Sequence, residues 1–172
     1  SLFLAAEKAL DKKQYVVFDT LHRQLKDYPL SPYLRARWLG LRLGEERRQA
    51  KAFLAKHGST PVTFNLRRKY LTLLAAEGRW KAFLRAYVPT ANVRLRCLYA
   101  HALWRTDQTA AAAKQTQSLW MHGKSRPDAC NAAFERWKAS KGLTAELTLR
   151  RLVLAVRAGK LGLAKYLRRT LP

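Results

Sequence analysis

Apolar residues recur along most of the chain at the spacing of amphipathic helices. One such face is formed by residues three or four positions apart, Val93, Cys97, Ala100 and Trp104. Strand-like alternation is nearly absent, and glycine and proline fall between the periodic segments. The pattern predicts about eleven helices, over residues 2–11, 14–26, 31–43, 46–57, 61–77, 79–88, 92–105, 108–122, 127–139, 144–158 and 161–170.

The breaks between these predicted helices recur at a roughly regular interval. Gly44 and Gly78 are 34 residues apart, and similar breaks surround Asp107 and Gly159. A helix–turn–helix unit that repeats at this period is typical of an α-solenoid, and the uneven later steps indicate a degenerate array. We therefore expect an all-α superhelix over residues 1–172, built of antiparallel helical hairpins. We also expect Asp107 to cap the helix that follows it.

Charge narrows the set of partners. The 172 residues include 34 Lys or Arg and 11 Asp or Glu, a net charge of +23, which is divided almost equally between the two halves of the chain. Such a field attracts polyanions, among them nucleic acid, anionic lipid and carboxylate-rich polymers. A basic protein without a charged partner is the plainer alternative. No apolar run is long enough to cross a membrane, so we expect no membrane span.

The chemistry of an active site is missing from the sequence. The carboxylates form no paired motif, and there is no G-x-S-x-G turn, P-loop or H-E-x-x-H. The four histidines are scattered, so we assign no metal site and no cofactor. Five tryptophans interleave with basic residues, which fits a stacking platform for bases or sugars. Because Trp104 and Trp137 lie on apolar helix faces, we expect most of the five in the core.

The two cysteines, Cys97 and Cys130, both lie on predicted apolar faces. They are either two buried free thiols or one disulfide that closes a loop of about 34 residues. The residues alone leave these alternatives open. A disulfide would indicate an oxidising compartment.

Four segments carry a more specific resemblance. They are LKDYPLSPYL (25–34), LWMHGKSRPDAC (119–130), FERWKASKG (134–142) and AVRAGKLGL (155–163). In this order and spacing they resemble the N-terminal superhelical region of bacterial soluble lytic transglycosylases. That resemblance implies a periplasmic protein of a Gram-negative bacterium whose parent enzyme cleaves the β-1,4 bond between N-acetylmuramic acid and N-acetylglucosamine in peptidoglycan, leaving a 1,6-anhydro sugar.

The resemblance also bears on individual residues. Cys97 and Cys130 match the pair that forms a disulfide in relatives. The family's catalytic glutamate, in a C-terminal lysozyme-like domain, is followed by serine, and no glutamate here is. We therefore expect a non-catalytic, monomeric scaffold fragment, with the lysozyme-like domain absent from this chain. Its expected partners are peptidoglycan and cell-wall synthesis enzymes, and its substrate-binding residues are unassigned.

Two other functions fit the same helical pattern. A basic helical-repeat protein that binds nucleic acid would explain the charge, although the repeats show no regular base-reading positions. A tetratricopeptide-like adaptor for a protein partner would explain the hairpins. The state of the cysteines distinguishes a nucleic-acid-binding protein from a periplasmic one. A disulfide favours the periplasm, and two free thiols favour the cytosol.

Overall fold

The computed structural model describes residues 1–172 and contains eleven α-helices and no strand. The helices are α1 (Leu2–Asp11), α2 (Tyr15–Gln24), α3 (Ser31–Leu41), α4 (Arg47–His57), α5 (Phe64–Ala76), α6 (Trp80–Ala86), α7 (Val93–Arg105), α8 (Thr109–Trp120), α9 (Asn131–Ala139), α10 (Ala145–Arg157) and α11 (Leu161–Arg169). Short 3-10 turns at Pro61–Thr63 and Asp128–Cys130 precede α5 and α9. The predicted all-α fold of about eleven helices is confirmed, and each predicted helix corresponds to an observed one.

The chain divides into two compact units, Ser1–Leu73 and Leu74–Pro172. In the first unit, α1 packs against α2 and α3, and α3 packs against α4. Its most buried apolar side chains come from every one of its helices: Leu10, Phe18, Leu34, Leu39, Leu54, Leu66 and Leu71. The buried Arg67 donates from Nη2 to the carbonyl of Gly58 at 2.8 Å, which closes the C-terminal end of α4.

In the second unit, α7 is the central helix. It packs against α6, α8 and α9, while α10 pairs with α11. The core that results contains Cys97, Leu103, Trp104, Leu119, Cys130, Trp137 and Leu167. Within this core, Trp104 Nε1 donates to Thr116 Oγ1 at 3.0 Å, so the indole nitrogen is satisfied without water.

Five of the helix connections use the same turn. Each has one residue in the left-handed region, with φ between +55° and +68°: Lys13, Gly78, Asp107, Lys141 and Gly159. The N–H of the following residue donates to the carbonyl five positions earlier in every case, from Gln14 to Ala9, Arg79 to Leu74, Gln108 to Leu103, Gly142 to Trp137 and Lys160 to Ala155. This is the Schellman arrangement that ends helices. The five connections therefore share a turn type, although lysine, glycine and aspartate all occupy its left-handed position.

Two expectations about these breaks need correction. Asp107 does not cap α8, because its φ of +59° makes it the left-handed residue that ends α7. Gln108 is the N-cap of α8, and no side chain accepts a hydrogen bond there. Aspartate tolerates the left-handed region better than most residues, which explains its place in the turn. Gly44 does separate α3 from α4, but its backbone is not left-handed, so it belongs to a different type of turn.

Candidate functional site

Cys97 and Cys130 form a disulfide, with their Cα atoms 4.5 Å apart. Cys97 lies on α7, and Cys130 ends the 3-10 turn that leads into α9. Both side chains are completely buried, and the chain has no free cysteine. The disulfide fixes the segment just before Cys130 against the N-terminal part of α7. Three arginines lie on or contact these two segments.

Two arginine side chains hold the connection between α8 and α9. Arg126 donates from Nε to the carbonyl of Leu119 at 2.8 Å. Arg151 on α10 donates from Nε to the carbonyl of His122 at 3.3 Å and from Nη2 to that of Lys124 at 3.5 Å. Both guanidiniums therefore bind the same six-residue stretch, 119–124, and backbone carbonyls fix their positions.

Arg151 is an unusual residue for its place on α10. Its side chain shares the buried face of that helix with Thr148 and Ala155, and only 4% of the residue is exposed. Its guanidinium carbon lies 4.2 Å from the ring centroid of Trp120 and 5.7 Å from that of Phe134. Contact with these ring faces stabilises the buried charge, because the faces carry negative potential.

Arg96 lies on α7, next to Cys97, and completes a group of three arginines with Arg126 and Arg151, which we term the arginine cluster. Burial and the charge of Arg126 lower the pKa of Arg151 to about 10, and only Tyr166 acts in the other direction. Burial and the charge of Arg96 lower the pKa of Arg126. Arg126 is thus close enough to both Arg96 and Arg151 for the charges to repel, yet Arg151 stays protonated at neutral pH.

No carboxylate compensates this charge. None of the three arginines forms an ion pair, whereas Arg150, one position before Arg151, pairs with Glu146 at 2.6 Å on the surface. Repulsion among like charges without a counter-ion favours the binding of an anion. The cluster therefore has the electrostatics of an anion site.

An aromatic cleft of about 280 Å³ adjoins this cluster. Trp120 and Phe134, the rings on which Arg151 stacks, line the cleft together with Tyr166, and three threonines, Thr144, Thr148 and Thr170, supply hydroxyl groups. The cleft and the arginine cluster thus share an aromatic wall. Aromatic rings beside hydroxyl groups suit a ligand that has both apolar and polar faces.

The first unit has a cleft of its own, of about 450 Å³. Its lining combines two aromatic side chains, Phe3 and Tyr33, with three basic ones, Arg37, Arg68 and Lys69. Arg37 is paired with Asp11 and lies 4.0 Å from Glu7, so its charge is compensated. This cleft is larger than the aromatic cleft, but it lacks an uncompensated buried charge.

The tryptophans occupy the places that the sequence predicts. Trp38, Trp104, Trp120 and Trp137 are buried, which confirms the core assignment for four of the five. Trp80 is half-buried and meets the ring of His101 edge-on, with the centroids 4.7 Å apart. The arginine cluster was missed, because its members come from α7, the 119–130 connection and α10. One signal was available, namely Arg151 on the apolar face of its predicted helix.

Fold and site together define an array of helical hairpins with one disulfide and an uncompensated group of arginines. The chain is 33% identical to a soluble lytic murein transglycosylase of Salmonella typhimurium over 169 residues and 31% identical to one of Escherichia coli over 175 residues. These matches cover 96% and 100% of the chain, which spans only 26% and 27% of the relatives' length. No protein-family model matches the chain.

Solved structures agree with these matches. The 70 kDa soluble lytic transglycosylase of Escherichia coli superposes with a TM-score of 0.88 at 29% identity. An inactive mutant of a lytic transglycosylase from Pseudomonas aeruginosa superposes with a TM-score of 0.89 at 36% identity. Each covers 99% of the chain, which corresponds to 28% of the solved structure. The chain is therefore homologous to part of the soluble lytic murein transglycosylases, as the sequence motifs predict. None of its helices has the length and apolarity to cross a membrane.

Proposed function

We propose that this chain is a non-catalytic helical region of a soluble lytic transglycosylase and that it holds peptidoglycan. The observation that carries the proposal is the similarity to soluble lytic murein transglycosylases along 96–100% of the chain. In this proposal, the whole enzyme cleaves the bond between N-acetylmuramic acid and N-acetylglucosamine and leaves a 1,6-anhydro sugar. Residues 1–172 contribute binding and positioning, and they do not contribute the proton-transferring carboxylate.

The charge of the chain supports the binding role. Residues 74–172 alone include 19 Lys or Arg and five Asp or Glu, a net charge of +14. Peptidoglycan presents carboxylates on its peptides, so a basic surface attracts it over several ångströms at low ionic strength. The aromatic cleft adds apolar contact area for sugar rings beside that field.

The disulfide supports a location outside the cytoplasm, because reducing systems keep cytosolic thiols free. We propose the periplasm, where peptidoglycan is accessible. A net charge of +23 also suits nucleic acid. The disulfide and the homology favour peptidoglycan as the ligand. The experiment must therefore distinguish peptidoglycan binding from nucleic-acid binding.

Cosedimentation with purified peptidoglycan sacculi tests the binding role. The disulfide-bonded chain should sediment with sacculi at low salt and should not sediment with chitin, an uncharged β-1,4 polymer of N-acetylglucosamine. Duplex DNA added at matched charge serves as a competitor. Absence of the chain from the sacculus pellet at low salt would refute the binding role. Equal sedimentation with chitin would refute the claim that attraction to the carboxylates of peptidoglycan drives binding.

The non-catalytic part of the proposal needs a second assay. The chain is incubated with sacculi, and the soluble products are examined by mass spectrometry. We expect no 1,6-anhydro muropeptides above the level of a buffer control. Release of such products by the purified chain would show that these residues carry the reaction themselves.

A further inference from the structure

The arginine cluster has hydrogen-bond donors to spare. A guanidinium has five N–H donors. Arg126 uses Nε on the carbonyl of Leu119, and Arg151 uses Nε and Nη2 on the carbonyls of His122 and Lys124. The structure gives the two Nη nitrogens of Arg126 and Nη1 of Arg151 no hydrogen-bond partner. These nitrogens form part of the planar fork that suits the two oxygens of a carboxylate.

The positions of these donors are set before any ligand arrives. Backbone carbonyls hold Arg126 and Arg151, and the rings of Trp120 and Phe134 confine Arg151. The disulfide links Cys97, the neighbour of Arg96, to Cys130, four positions after Arg126, so it fixes the backbone at Arg96 relative to the segment that carries Arg126. A preorganised site loses little conformational entropy on binding.

We propose that Arg96, Arg126 and Arg151 bind a carboxylate group of the peptide portion of peptidoglycan. This inference rests on the proposed function, and it assigns the recognition of a peptide carboxylate to the arginine cluster. Two guanidiniums on one six-residue stretch, with Arg96 near the first of them, suit a single anionic group, whereas nucleic acid requires contacts spread along a row of phosphates. The adjoining aromatic cleft is lined by Trp120 and Phe134, the rings that Arg151 contacts, so it can accept the less polar part of the same ligand.

The test measures binding of variants to sacculi whose carboxylates are free or amidated. The first variant, Arg126→Gln, removes one half-buried member of the cluster, and Arg96→Gln removes another. The matched control is Arg94→Gln, which removes the same charge from an exposed position on α7, two residues from Arg96. Arg151 is kept, because it holds the 119–124 stretch through two hydrogen bonds and also stacks on two rings, whereas Arg126 holds that stretch through a single hydrogen bond. Circular dichroism and thermal unfolding verify that the variants fold.

On untreated sacculi, we expect Arg126→Gln and Arg96→Gln to bind about tenfold more weakly than the wild type, the effect of losing a charge-assisted hydrogen bond. Arg94→Gln should change affinity by less than about twofold, as for a screened surface charge. On amidated sacculi, the wild type and Arg126→Gln should bind equally, because the proposed ligand group is gone.

Equal losses in Arg126→Gln and Arg94→Gln would overturn the inference while leaving the proposed function intact. Full wild-type binding to amidated sacculi would overturn the choice of a carboxylate. A loss of duplex DNA binding in Arg126→Gln, equal to its loss on sacculi, would reassign the site to phosphate. Failure of the wild type to bind untreated sacculi would remove the proposed function and this inference together.

Discussion

Gly123 lies directly against the backbone of α10 at Leu154. A Cβ added at Gly123 would lie 2.5 Å from the carbonyl oxygen of Leu154 and 3.0 Å from the Cβ of Ala158. Only glycine permits this approach, and the approach places the 119–124 stretch within reach of Arg151. The local packing and the proposed anion site therefore depend on the same contact.

Gly123→Ala should lower the free energy of unfolding by about 1–3 kcal/mol, because backbone atoms must move to accommodate the methyl group. The control is Gly162→Ala on α11, where an added Cβ meets no atom within 4 Å. That change should raise stability by about 0.5–1 kcal/mol, since alanine loses less entropy in a helix. Urea denaturation measures both, and equal stabilities of the two variants would contradict the packing argument.

At the left-handed positions of the repeated turns, substitution to glycine and substitution of glycine should change stability in opposite directions. Lys13→Gly should raise stability by about 0.5–1 kcal/mol, because relief of the left-handed strain exceeds the entropy that glycine loses. Gly159→Ala should lower stability by about 1 kcal/mol, although an added Cβ there has open space around it. Thermal unfolding checks the signs, and a stabilising Gly159→Ala would exclude the turn geometry described for α10–α11.

The disulfide predicts a large contribution to the stability of the second unit. The bond joins residues 33 positions apart. In the chain-entropy account, removing it costs about 3–4 kcal/mol. The double variant Cys97→Ala with Cys130→Ala, compared with the oxidised wild type by urea denaturation, gives the value. A difference below about 1 kcal/mol would contradict this expected contribution.

His101 predicts a loss of stability in mild acid. Burial, with a smaller contribution from the charge of Arg105, lowers the pKa of His101 in the folded state. Just below about pH 6.5, the unfolded chain therefore binds a proton that the folded chain does not, and stability falls until the pH passes the folded-state pKa. The variant His101→Gln should show a flatter profile between pH 7 and pH 5 by urea denaturation. An unchanged slope in that variant would assign the acid sensitivity to other groups.

Helix positions were accessible from the sequence because apolar spacing reports them directly. Turn roles were less accessible: Asp107 is common both as an N-cap and in the left-handed region, and only the backbone distinguishes the two. The arginine cluster joins residues as far apart in the chain as Arg96 and Arg151, each of which interacts with Arg126. Such contacts follow from how the helices pack, and no local pattern records them, although an arginine among Thr148 and Ala155 on a buried face was a usable sign.

The salt dependence of sacculus binding tests the central claim most directly. The oxidised chain is sedimented with a fixed amount of sacculi while sodium chloride rises from about 20 mM to about 300 mM, a range over which the screening length shortens severalfold. We predict strong retention at the lowest salt and a steep decline as salt rises. No retention at the lowest salt, or retention that is indifferent to salt, would contradict the account of this chain as a basic scaffold that holds peptidoglycan.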